Sequence, residues 1–155
     1  MSNELLYHFF DDDDFLMISD KISEMEKITA GEIRVAIKED LPFKLRNKSI
    51  YELAENEFYK LGMQDTRDKT GILIYIHLKK REFYILADEG INSKVEQSTW
   101  DQIRDEMQAE FKTGHYNEGV LDAIEKVGKI LGDYFPIKAD DTNELSNKVV
   151  VWSSF

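Results

Sequence analysis

Two short acidic stretches carry the residue types most suited to chemistry. In "FYILADEGI" an apolar run stops at Asp88 and Glu89, with Gly90 immediately after; in "MQDTRDKT" Asp65 and Asp68 precede another apolar run. Carboxylates on loops suit hard cations, because Ca2+ and Mg2+ take oxygen ligands and a loop bends both side-chain and backbone oxygens around an ion. Clustered carboxylates also repel one another, which raises some of their pKa values unless a cation intervenes. A plainer explanation stands beside this one. Asp or Glu after a strand often caps the next turn, and Arg67, Lys69 and Arg81 are at hand as ion-pair partners. On spacing alone, the acidic turn comes ahead of the metal site.

Other chemistries find less support. The chain has no cysteine, so a thiol nucleophile, a thiolate metal site and a disulfide framework are all excluded. His8, His77 and His115 are isolated, and none belongs to a two-histidine metal motif or a nucleophile elbow. The run Asp11 to Asp14 follows "LLYHFF", the way a phosphoaspartate enzyme begins its nucleophile loop, but a helical stripe starts at once at Phe15. Helix capping is the better explanation. The same run lacks the glycine of an EF-hand loop. Trp100 and Tyr134 sit at helical spacing and read as core.

The elements around the acids can be read from periodicity. Phe15, Ile18, Ile22, Met25 and Ile28 recur at helical spacing, with Gly31 as the stop. "EIRVAIKED" alternates Ile33, Val35 and Ile37 with charged residues, which predicts a strand with one face more exposed, toward a sheet edge. "SIYELAENEFYKLG" predicts a helix capped by Ser49 and Glu52 and ended by Gly62. "GILIYIHL" is a continuous apolar run, expected at the centre of a sheet, and "EFYILA" follows it so closely that only an antiparallel hairpin can join them. Two more helices are predicted in "STWDQIRDEMQAEFKTG", with a Ser98 or Thr99 cap and Gly114 as its stop, and in "YNEGVLDAIEKVGKILGDYFP".

This order predicts an α/β fold, a three-layer αβα sandwich around a small mixed sheet of about four strands. It also places the acids. A hairpin brings Asp88 beside Thr70 and Gly71, and a parallel crossover from the first strand brings Glu32 to the same sheet edge. Asp65, Asp68, Asp88, Glu89 and Glu32 are therefore expected to converge from three segments.

Bulk properties bound the answer. At 155 residues the chain fits one domain, and a net charge of -11 argues against nucleic-acid and anionic-membrane partners. The N-terminus has neither a basic leader nor a long apolar segment, so a cytoplasmic protein is expected. A monomer is expected. The tail over 137–155 begins polar and ends in Val149, Val150, Val151 and Trp152; it is read as partly disordered, or as adding an edge segment or meeting a partner.

Taken together and in order, "TAGEIRVAI", "FYKLGMQDTRDKTGILIYI", "FYILADEGINSKVEQSTWDQI" and "EFKTGHYNEGVLDAIEKVGKILGDYFP" resemble a TPM domain, found in plant thylakoid-lumen and photosystem-repair proteins and in many bacterial proteins. The resemblance runs from about Phe9 to Pro136 and makes 1–136 a stand-alone TPM domain. It implies an αβα sandwich whose two loops cross and hold divalent metal ions, and by position it points to Asp65, Asp68, Asp88 and Glu89. The chain departs from the commoner pattern in having "RDKTG" where many relatives place an Arg and an Asn near the glycine. The expected function is a Ca2+- or Mg2+-binding module, regulatory or interacting with an unidentified protein. The alternative is a metal-dependent acid phosphatase acting on phosphomonoesters, for which no catalytic set can be assigned.

Overall fold

The computed structural model describes residues 4–137 and, by backbone alone, 150–152. Among these residues, six helices accompany a mixed sheet: α1 (Glu4–Phe9), α2 (Asp12–Met25), β1 (Glu32–Lys38), α3 (Ile50–Lys60), β2 (Gly71–His77), β3 (Glu82–Ala87), α4 (Glu89–Asn92), α5 (Gln97–Lys112) and α6 (Tyr116–Tyr134). The three strands β1 to β3 form the body of the sheet. A short segment, β4 (Val150–Trp152), lies parallel to β1 beside Ala36 to Lys38, giving the order β3-β2-β1-β4. The remainder of the tail, including Val149, lies outside the described residues.

β1 and β2 run parallel with Glu32 opposite Gly71, and β2 and β3 form the antiparallel hairpin with Ile72 opposite Ala87. The hairpin turn lacks glycine, and Arg81 takes the left-handed conformation in its place, with φ 53°. Its amide donates to the Leu78 carbonyl at 3.1 Å. The alternating side chains of the strands enter two separate buried clusters. Ile33, Val35, Ile37, Ile72, Ile74 and Ile76 join residues of α1, α2, α5 and α6; Ala36, Leu73 and Tyr75 join Leu53, Ala54 and Phe58 of α3. Period-two alternation thus places one strand's residues in two cores.

Several ends obey the expected cap chemistry. Asp11 and Asp14 form a reciprocal capping box on α2, and Ser49 and Glu52 form another on α3. Gly62 and Gly114 adopt φ of 71° and 86°, the left-handed geometry that suits a glycine stop.

Other expectations are corrected. The helix predicted through Ile28 ends at Met25, and Gly31 instead fits where a side chain would press to 2.8 Å from Leu131. α5 begins at Gln97 after Glu96, ahead of the expected Ser98 or Thr99 cap. α1 and α4 are short helices that periodicity does not signal. The largest correction concerns β1, whose seven residues are all buried rather than exposed on one face. Its charged alternants are neutralised by partners: Lys38 Nζ lies 2.9 Å from Glu57, and Arg34 lies between Glu26 and Glu32. Burial still holds the Lys38 ammonium down to a pKa of about 8, although Glu57 opposes the shift.

Candidate functional site

The first loop, between α3 and β2, is fastened from within. A 3₁₀ turn over Met63–Asp65 follows Gly62. The buried Thr66 hydroxyl accepts from the Thr70 amide at 3.1 Å, and Lys69 Nζ donates to the Gln64 carbonyl at 2.7 Å. Lys69 has φ 57°, a conformation uncommon for a side chain of its kind. The loop therefore holds a fixed, slightly strained path.

The second segment, Asp88 to Asn92, docks onto that path. The Asp88 amide donates to the Gly71 carbonyl at 2.8 Å, continuing the hairpin ladder one step past β3. Asp88 then caps α4, with Oδ1 accepting from the Glu89 amide at 2.8 Å. Ile91 is buried in the larger core and Asn92 Nδ2 donates to the Ala87 carbonyl at 3.0 Å, so α4 is pinned at both faces. Gly90 sets the distance between the two loops. A Cβ there would sit 2.2 Å from the Asp68 carbonyl oxygen and 2.5 Å from that of Lys69. Only glycine lets these backbones touch.

The expected acids divide. Asp65, Asp68 and Glu89 are exposed, and Asp88 is half-buried, on the two segments that meet at Gly90. Asp88 Oδ2 is shielded from solvent and has no hydrogen-bond partner among the described residues. Asp68 pairs with Arg67 at 3.2 Å, the ordinary ion pair anticipated from the sequence, whereas Arg81 lies at the far hairpin turn over the Phe9 ring. Glu32 reaches the same end of the sheet, where its amide donates to the Thr70 carbonyl at 3.0 Å. Its side chain, however, is buried against Arg34 at 3.3 Å. Among the described residues, no three Asp, Glu or His side chains are gathered as a metal-ligand group.

Sequence reasoning missed Glu26, which completes the buried group around Arg34. Its Oε2 accepts from the Ile33 amide at 2.7 Å and from Arg34 Nη1 at 2.9 Å. Burial pushes this carboxyl up, against the pull of Arg34 and the Ile33 amide. The available signal was the charged alternants of β1, which need partners if both faces are covered. His77 lies wholly buried at the opposite end of β2, 3.9 Å from Asp40, too far for a hydrogen bond.

A family model described as the TPM domain matches residues 6–130. The chain belongs to the TPM domain family. Its fold is similar to the NMR structure of the BA42 protein from the psychrophilic bacterium Bizionia argentinensis, with a TM-score of 0.82 and 35% identity over 93% of this chain and 96% of that one. It is also similar to the N-terminal domain of a protein from P. gingivalis, at a TM-score of 0.68 and 15% identity, covering 82% and 79% of the two chains. No curated protein matches. Among the described residues of this TPM domain, no helix is long and apolar enough to cross a membrane.

Proposed function

We propose that this TPM domain binds a divalent cation, Ca2+ or Mg2+, where its two loops cross, and that the ion orders them as a regulatory surface for a protein partner. The observation that carries the reading is the contact at Gly90, which sets the backbone of the Asp88–Asn92 segment against that of Asp68 and Lys69. The shielded Asp88 Oδ2, unpartnered among the described residues, supplies one hard oxygen already in need of a positive neighbour. The fit is partial. Asp65, Asp68 and Glu89 are exposed and must rotate inward, with Asp68 leaving Arg67. Glu32 stays with Arg34 and outside the ligand set.

The reading includes a three-layer αβα sandwich, supported by the two separate buried clusters, and a monomer without nucleic-acid partners, supported by the charge of -11. Calorimetric titration of chelator-stripped protein tests the ion. Saturable heat with Ca2+ or Mg2+, abolished by Asp88→Asn, is expected; no heat with either ion overturns the proposal. The alternative phosphatase reading places the chemistry at the same crossing, where a bound ion would polarise a phosphoryl oxygen. Metal-dependent turnover of p-nitrophenyl phosphate, lost in Asp88→Asn, would favour that alternative over a binding module.

A further inference from the structure

Next to the loop crossing, α3 and β3 part to leave a cleft of about 320 Å3. Tyr51, Glu55 and Tyr59 recur every fourth residue along one stripe of α3, Tyr84 faces them from β3, and Asp88 and Asn92 close one end. We propose that this cleft binds a small primary alkylammonium ion. The volume is of the size that takes a small ligand.

Three observations point to that chemistry. Aromatic rings make the walls, with Tyr51 and Tyr84 edge to face at 5.5 Å, and ring faces attract an organic cation. The acidic residues Glu55 and Asp88 also line the cleft, and among the described residues no Lys, Arg or His does. Glu55 Oε2 accepts from the Tyr51 hydroxyl at 3.0 Å, which fixes the carboxylate against the aromatic wall. A primary ammonium meets these demands together: its alkyl chain lies on the rings and its N–H groups serve the carboxylates. A quaternary ion has no N–H to give. The proposal does not rest on metal binding, since Tyr51, Glu55, Tyr59 and Tyr84 lie outside the set proposed for the ion. Asp88 is shared, so a divalent ion held there weakens the attraction for the amine.

The test is a titration of the protein in EDTA with n-butylammonium, followed by amide and side-chain NMR shifts, with n-butanol and tetramethylammonium as comparison probes. Saturable shifts over residues 51–59 and 84–92 are expected with butylammonium and weaker ones with the other two. Glu55→Gln should weaken binding about tenfold, as loss of one charge-assisted hydrogen bond implies. Asp88→Asn, which keeps an N-cap acceptor, should weaken it less. Equal shifts with butanol, no saturable shifts, or affinity unchanged in both variants overturns the proposal. With EDTA present throughout, a failure of the calcium reading leaves this readout intact.

Discussion

Two sets of carboxylates meet the same end of the sheet and are treated in opposite ways. Glu26 and Glu32 are buried and held by Arg34, closing the start of β1 where β4 does not reach. Asp65, Asp68, Asp88 and Glu89 stand on two crossing loops, mostly exposed, with a shielded oxygen left over on Asp88. The first set has its cation built into the chain. Among the described residues the second does not, apart from the exposed Arg67 beside Asp68. Carboxylate content alone therefore does not mark a site; what marks it is which acids the fold leaves without a positive partner.

Breaking the closed set should have the largest effect. Arg34→Met removes the shared cation and leaves two buried carboxylates facing each other, a loss expected at about 3–5 kcal/mol in chemical denaturation. Gly90→Ala attacks the crossing instead. Its methyl group cannot coexist with the Asp68 carbonyl at 2.2 Å, so the loops must separate at a cost of about 3 kcal/mol, and cation binding should fall with it. A variant of unchanged stability would show that the loops do not need to touch.

His77→Leu removes a buried ring whose two nitrogens have no hydrogen-bond partner among the described residues, and should change stability little at neutral pH. Acid separates it from the parent. Burial lowers the His77 pKa below its usual 6.5, with Asp40 opposing and Lys80 adding to the shift. Between 6.5 and that lowered value the unfolded chain binds the extra proton, so this histidine's contribution to stability is lost as pH falls through the window. The variant should lack that part of the acid slope, read from urea midpoints across pH. The smallest effect belongs to Arg67→Ala. Its exposed pair with Asp68 is worth at most about 0.5 kcal/mol, but freeing Asp68 should tighten cation binding measurably if the open set is the site.

Much of this arrangement is legible in the order of residues alone. The hairpin, the parallel pair and the caps at Asp11, Ser49, Gly62 and Gly114 follow from local rules, and those rules suffice to bring Asp88 to Gly71. Two things are not legible. Arg34 and Lys38 read as solvent-facing alternants because a strand's charge pattern does not reveal whether partners such as Glu26 and Glu57 are waiting on neighbouring segments. That same blindness hides the pairing of Glu32 with Arg34. The tyrosine stripe of α3 is hidden for a different reason: a helix stripe shows that residues align, but the facing Tyr84 and the gap between them belong to tertiary packing.

The most direct measurement of the central claim is a Ca2+ titration of metal-free protein followed by backbone amide shifts. Saturable changes concentrated in residues 63–70 and 87–93, with Glu26, Glu32 and Arg34 unmoved, are what the open set requires. Shifts centred on the Arg34 group, or none at the two loops, would contradict it.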